Sequence, residues 1–380
     1  MSILHHAAAA FDPKDCASVR AYLRELLSSP DMNDSCSRKY ERGIVRFIEN
    51  NAWTFESVSG TLKTICAEVK TDRGNHRISY AAFYALCTYC RKNSHLTEYR
   101  SLLNEYDNYF KKEETSFQFL ELMYRSASAS QNPREINRKL LTDAEELCCL
   151  VGLKHNYGVA HLFAEIVAIY FESFLQKDLS SKDLSYIDTG IDYVTRALEE
   201  SKSDTADRGY PKFYMTRARL LYLKAIFDDS DSGGISFDKA HEDVAQAIDY
   251  EENAQKMAAY QLKESSLRSA YYEESLRRQV NKLEHTFREL DSTSTKKNLE
   301  LLSFFAAIFS LIVTGMSLAT KIDFPHSAIL LLIMTGCISV AFGGFGFVIN
   351  NKERKLANII LILIGSLLII GAILYGGAVC

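Results

Sequence analysis

Apolar residues recur every three to four positions along most of this chain, the period of a helix with one buried face. Nowhere do runs of Val, Ile and Thr alternate as a half-buried strand requires. The pattern predicts an all-α protein. Residues 15–27, 37–50 and 55–71 are amphipathic segments of an N-terminal helical region, 1–75. From 76 to 252 the segments come in pairs: 78–92 with 96–110, 116–129 with 133–150, 157–175 with 184–200, and 211–227 with 237–251. Polar stops separate them, among them Lys92-Asn93-Ser94, Ser130-Gln131-Asn132, Ser180-Ser181 and the glycine-bearing stretch 229–234. Pro133 suits a first helical turn, where its missing N–H leaves no partner unsatisfied. Pairs recurring every ~40 to 50 residues fall in the range of helical-hairpin repeats.

The pattern changes abruptly near residue 299. Three apolar runs follow, 299–320, 327–349 and 356–379, and none carries Lys, Arg, Asp or Glu in its central part. A helix needs about 20 such residues to cross a hydrocarbon core. In lipid every backbone N–H and C=O must be satisfied within the segment, so each run is helical if it spans. Residues 299–380 are therefore expected to be a membrane domain in contact with the lipid bilayer.

Between the two regimes, 253–298 is polar and free of Pro and Gly. Leu276, Val280, Leu283, Phe287 and Leu290 follow spacings of four, three, four and three, an a/d seam of about two heptads. Leu262 fits the same register, whereas Ser269 and Glu273 interrupt it. Two readings stand open: an oligomerisation seam in a coiled-coil stalk leading into the first span, or a helix packed back on the repeat domain. The first makes the protein a homo-oligomer.

The later hairpins carry a more specific pattern. Ala240, Val244 and Ala247 repeat the spacing of Gly190, Val194 and Ala197, and Ala218 and Tyr222 place a small and a large residue on a first helix. Over 157–252 this resembles the tetratricopeptide (TPR) repeat family, in degenerate form: the Trp–Leu–Gly start and the closing Pro are missing. The resemblance implies a helical-hairpin, TPR-like α-solenoid whose stacked pairs bury a continuous core. Its concave face would take a protein or peptide partner.

The chain has 380 residues and a formal net charge of -4, which argues against nucleic-acid binding as its main work. The first ten residues have neither a basic stretch nor an apolar core of signal-peptide length, so the helical domain is expected in the cytoplasm. Loop charges agree. Arg288, Lys296 and Lys297 precede the first run, residues 321–326 are formally neutral, and Lys352, Arg354 and Lys355 precede the third. The positive-inside rule then puts the N-terminal part in the cytoplasm and the C-terminus on the far side of the inner membrane. Two spans, with one run re-entrant, is the alternative.

No nucleophile, phosphate-loop or metal-ligand signature occurs, and no catalytic residue, cofactor or metal is expected. Cys87 and Cys90 form one C-x-x-C, but a structural zinc needs four ligands and no second pair follows, so both are read as core residues. Trp53 and the tyrosines of 80–109 are read mainly as packing, and His241-Glu242-Asp243 as a solvated face. The apolar runs lack the buried charges of ion-coupled transporters. They do carry small residues at four-residue spacing: Ala306, Ser310 and Thr314; Ser339 and Gly343; Ala372 and Gly376. Such faces let helices approach closely in lipid, so these residues are the candidates for membrane helix packing.

A helical-repeat domain, a short connector and C-terminal spans, with the stretch 297–308 entering the first run, together resemble bacterial anti-phage membrane effectors, including those encoded beside retron reverse transcriptases. The resemblance implies a cytoplasmic domain that binds a protein or ribonucleoprotein partner and restrains spans that depolarise the inner membrane, an abortive infection. It assigns a role to no individual residue. The alternative is a membrane-tethered TPR-like adaptor with an inert anchor. A membrane enzyme with an unrecognised helical site is a third reading.

Overall fold

The computed structural model describes residues 11–51, 53–71, 75–110, 114–132, 136–173, 181–227, 232–290, 297–319, 324–348 and 355–379. Every regular element among them is helical. The chain divides into two compact units, Met1–Leu267 and Arg268–Cys380.

Polar caps fix where the helices of the first unit begin. Asp15 accepts hydrogen bonds from the Ala17 and Ser18 N–H groups ahead of α1 (Cys16–Ser28), and Ser37 accepts from Tyr40 N–H ahead of α2 (Arg38–Glu49). Each satisfies donors that the first turn leaves without a partner. The segment expected as one helix over 55–71 is composite. Thr54 and Ser57 form a capping box on α3 (Phe55–Ser57), a π-helical turn follows (Val58–Leu62), then α4 (Lys63–Ala67) and a 3₁₀ turn (Glu68–Lys70). Trp53 is half-buried, edge-on to Phe47 and Phe11 at ring separations of 5.4 and 5.8 Å. It packs the N-terminal helices together.

The hairpins follow as α5 (His76–Lys92) with α6 (Leu96–Phe110), α7 (Glu114–Gln131) with α8 (Arg138–Val151), α9 (Tyr157–Glu172) with α10 (Ser181–Lys202), and α11 (Pro211–Phe227) with α12 (Ser232–Tyr250). Two boundaries differ from the sequence reading. α8 starts at Arg138, because extended Asn137 caps it by accepting the Leu140 N–H; Pro133 lies outside the described residues. α12 starts at Ser232, so Gly233 and Gly234 belong to its first turn rather than to a break.

The first helices of the pairs form a row: α5 packs on α7, α7 on α9 and α9 on α11. α5, α9 and α11 are buried almost all round. Tyr80, Phe83, Tyr84 and Tyr99 are fully buried, with Tyr99 donating to the Leu120 carbonyl at 2.8 Å. Cys87 and Cys90 are free and buried, and burial pushes the Cys90 thiol up to about 12. Small residues sit where helices touch. Ala240, Val244, Ala247, Ala218 and Tyr222 are all buried, and a Cβ added at Gly190 would meet Leu220 at 3.1 Å.

α13 (Ala254–Leu290) is a single helix of 37 residues that begins in the first unit. Whether it runs on into the next helix turns on residues 291–296, which lie outside the described residues. The second unit holds α14 (Lys297–Ala319), α15 (Phe324–Val348) and α16 (Lys355–Val379).

Candidate functional site

The connector is held at its base. Glu172, the last residue of α9, accepts from Arg219 of α11 through both carboxylate oxygens, at 2.8 and 2.9 Å. Lys263 of α13 reaches the same carboxylate at 2.8 Å. Burial raises the Glu172 pKa, but Arg219 and then Lys263 outweigh it and hold the group ionised below its ordinary range. One residue on, Glu264 accepts from the His241 ring at 2.8 Å and from the Tyr222 hydroxyl at 3.3 Å. Tyr260 donates to Glu251 at 3.2 Å, and Leu267 is buried. Two successive turns of the connector thus touch the first unit through one face, at Tyr260, Lys263, Glu264 and Leu267. This half of α13 packs back on the repeat domain, the second of the two readings open from the sequence.

The expected seam lies further along α13. Leu276 and Val280 are half-buried, and Leu283 is 41% exposed. The side chains of Phe287 and Leu290 lie outside those described.

In the second unit two helices are long and apolar enough to cross a membrane, over His326–Gly344 and Asn358–Tyr375. The apolar stretch of α14 that is described, Phe304–Leu318, is shorter. α15 and α16 approach through glycine. A Cβ on Gly336 would fall 2.7 Å from the Gly365 carbonyl oxygen, and one on Gly365 would fall 2.6 Å from that of Gly336. Gly343 lies against α16 in the same way, 2.8 Å from the Asn358 carbonyl oxygen. Ala372 is buried, Ser339 is half-buried and donates to the Thr335 carbonyl, and the surroundings of Gly376 lie outside the described residues. On α14, Ala306, Ser310 and Thr314 are exposed, with Thr314 donating to the Ser310 carbonyl of its own helix. α14 meets α15 on another face, where Gly315 backs onto Met334 and Phe304 and Phe305 contact Phe342.

The sequence reading therefore named Gly343 and Ala372 but not Gly336 and Gly365, which make the closest approach. Their signal was present: Gly336 precedes Gly343, and Gly365 precedes Ala372, by two helical turns. It also missed the Glu172 cluster, whose members are far apart in sequence. Asp243, read as part of a solvated face, is buried: Arg217 donates to both its oxygens at 2.7 Å. Among the described residues no group of His, Cys, Asp and Glu is placed to hold a metal ion.

Comparison with protein-family models, with curated proteins and with solved structures found no match for this chain.

Proposed function

We propose that this protein is a multi-pass inner-membrane effector of anti-phage defence. Its hairpin row is a short TPR-like solenoid in the cytoplasm, and it restrains C-terminal spans that depolarise the membrane when a protein or ribonucleoprotein partner binds. The observation that carries this reading is α13: one helix whose first half is clamped to α9, α11 and α12 and whose second half precedes the apolar helices in the sequence. Such a helix passes any loosening of the clamp along its own length. Basic residues before 299 and within 350–355 favour a cytoplasmic start and an outward C-terminus. The exposed Leu283 end of the seam favours pairing with a second copy once the stalk is free.

The test is induced expression in a bacterial host, with membrane potential and viability recorded for the full chain, for Glu172→Gln and for Glu172→Gln lacking 299–380. The expected result is depolarisation by Glu172→Gln that disappears without 299–380. Normal potential in all three, with the two chains that keep 299–380 inserted, would favour the tethered adaptor, for which the spans are only an anchor.

A further inference from the structure

A second polar site lies among the first helices of the hairpins, away from the connector base. A cavity of about 290 Å³ is walled by α2, α5, α7, α9 and α11. Glu41, Arg91, His161, Glu165 and Lys212 face it, and Arg38 stands behind Glu41.

These groups are not equivalent. Glu41 is committed: Arg38 reaches its carboxylate at 2.6 Å, and the pair is seated over the first turn of α9. Gly158 makes room there, since a Cβ would fall 2.7 Å from Glu41 Oε2 and 3.0 Å from Arg38. His161 is buried, hydrogen-bonded to Thr216 at 3.1 Å and stacked on Phe213 at 4.2 Å. Burial, then the charges of Lys212 and Arg38, hold its pKa well below the ordinary value, so it contributes no charge at neutral pH.

Two cations remain. The buried Nε of Arg91 has no hydrogen-bond partner among the described residues. The Lys212 side chain is open to water inside the concavity, and among the described residues no ion pair reaches its ammonium. Enclosure by the cavity walls, then repulsion from Arg91 and Arg38, lower its pKa to about 8. Two carboxylates, Glu41 and Glu165, face the three positive charges of Arg38, Arg91 and Lys212, which leaves the group one positive charge in excess. The Arg91 guanidinium lines the cavity, and an arginine fork suits a planar or tetrahedral oxyanion. Phe119 and Met123 of α7 add apolar surface to the lining of the same cavity.

We propose that this cavity binds a small organic oxyanion, a phosphate or a carboxylate, held between Arg91 and Lys212 with its apolar part against Phe119 and Met123. Binding would tie α5, α7 and α11 together through one ligand. The site does not depend on the membrane reading above.

The full chain in detergent is titrated calorimetrically with phenyl phosphate, benzoate and inorganic phosphate, at pH 8 and in buffers of different ionisation enthalpy. The expected result is saturable one-to-one binding of phenyl phosphate, of benzoate, or of both, tighter than inorganic phosphate and accompanied by proton uptake. Which of the two organic anions binds more tightly identifies the headgroup. Lys212→Met and Arg91→Met should each weaken binding about tenfold or more, the usual effect of losing a charge-assisted hydrogen bond. Lys212→Arg should restore binding but abolish proton uptake, because a guanidinium does not titrate there. Lys39→Met, at an exposed ion pair with Asp31, should change nothing. The proposal is overturned if neither organic anion binds saturably, or if binding survives both methionine substitutions.

Discussion

Lys263 and Glu172 form a 2.8 Å ion pair that joins the connector helix to the last residue of α9, and Arg219 grips the same carboxylate from a third helix. The carboxylate is nearly buried, whereas Lys263 is 40% exposed, so the partners differ in consequence. Glu172→Gln takes the ion-paired carboxylate away from buried Arg219 and should destabilise the first unit by about 3 kcal/mol. Lys263→Met removes an exposed partner only and should shift stability by less than ~1 kcal/mol. Denaturant midpoints of the two variants measure the difference; equal losses would mean that the clamp is not centred on Glu172. Hydrogen exchange in Ala254–Leu267 should accelerate in both, because each frees the start of α13.

The α15–α16 contact gives a prediction with a built-in control. Gly336→Val and Gly365→Val each place a branched side chain where a partner carbonyl already lies within 2.7 Å of the Cβ position. Overpacking of this kind costs about 1–3 kcal/mol even where neighbours can shift, and backbone shifts less readily than side chains. Gly344 and Gly371 have open space at the same position. Thermal unfolding in detergent micelles should show both Val variants much less stable than the parent, with Gly344→Ala and Gly371→Ala near it.

Buried His161 sets an acid limit. Its pKa in the folded chain lies well below the ordinary 6.5, so the unfolded chain binds the extra proton first as pH falls. Stability contributed by neutral His161 is therefore complete above pH 6.5 and declines as the pH drops below it. Melting temperatures measured between pH 7 and pH 5 should fall, and His161→Gln should flatten that slope. An unchanged slope in the variant would assign the acid sensitivity to other groups.

The seam on α13 predicts assembly. If Leu276, Val280 and Leu283 pair with a second copy, Leu276→Asp with Leu283→Asp should lower the oligomeric mass of the full chain in detergent, read by light scattering. An unchanged mass would place any self-association in the apolar helices instead. Because Leu276 is half-buried and Leu283 exposed, the change should act on association more than on folding.

Periodicity made most of the helices legible. The segments at 96–110 and 211–227 coincide with α6 and α11 because their apolar stripes and their polar stops agree. Ends were missed where a side chain overrode the stripe, as Asn137 does at α8. The π-helical turn at Val58–Leu62 leaves no mark on a period that varies between three and four. The small residues of the apolar runs were legible as a class, but which of them touch was not: Gly343 and Ala372 lie in the helical hairpin, while Ala306, Ser310 and Thr314 are exposed. Spacing identifies a face and not its neighbour. The Glu172 cluster and the Arg91–Lys212 cavity join residues from helices distant in sequence, and only packing brings them together.

The glycine contact of α15 and α16 also sets how much sequence change the apolar helices can absorb. Where main chain lies on main chain there is no rotamer to adjust, so Gly336, Gly343 and Gly365 should tolerate almost no replacement. Leu363, Leu367, Ile370 and Leu374 present more than half of their surface outward, so exchange among Leu, Ile, Val and Phe should pass there unnoticed. A library randomised across 324–379 and selected for correctly inserted protein would thus return two kinds of column: nearly invariant small residues two turns apart, and freely interchanging large ones between them.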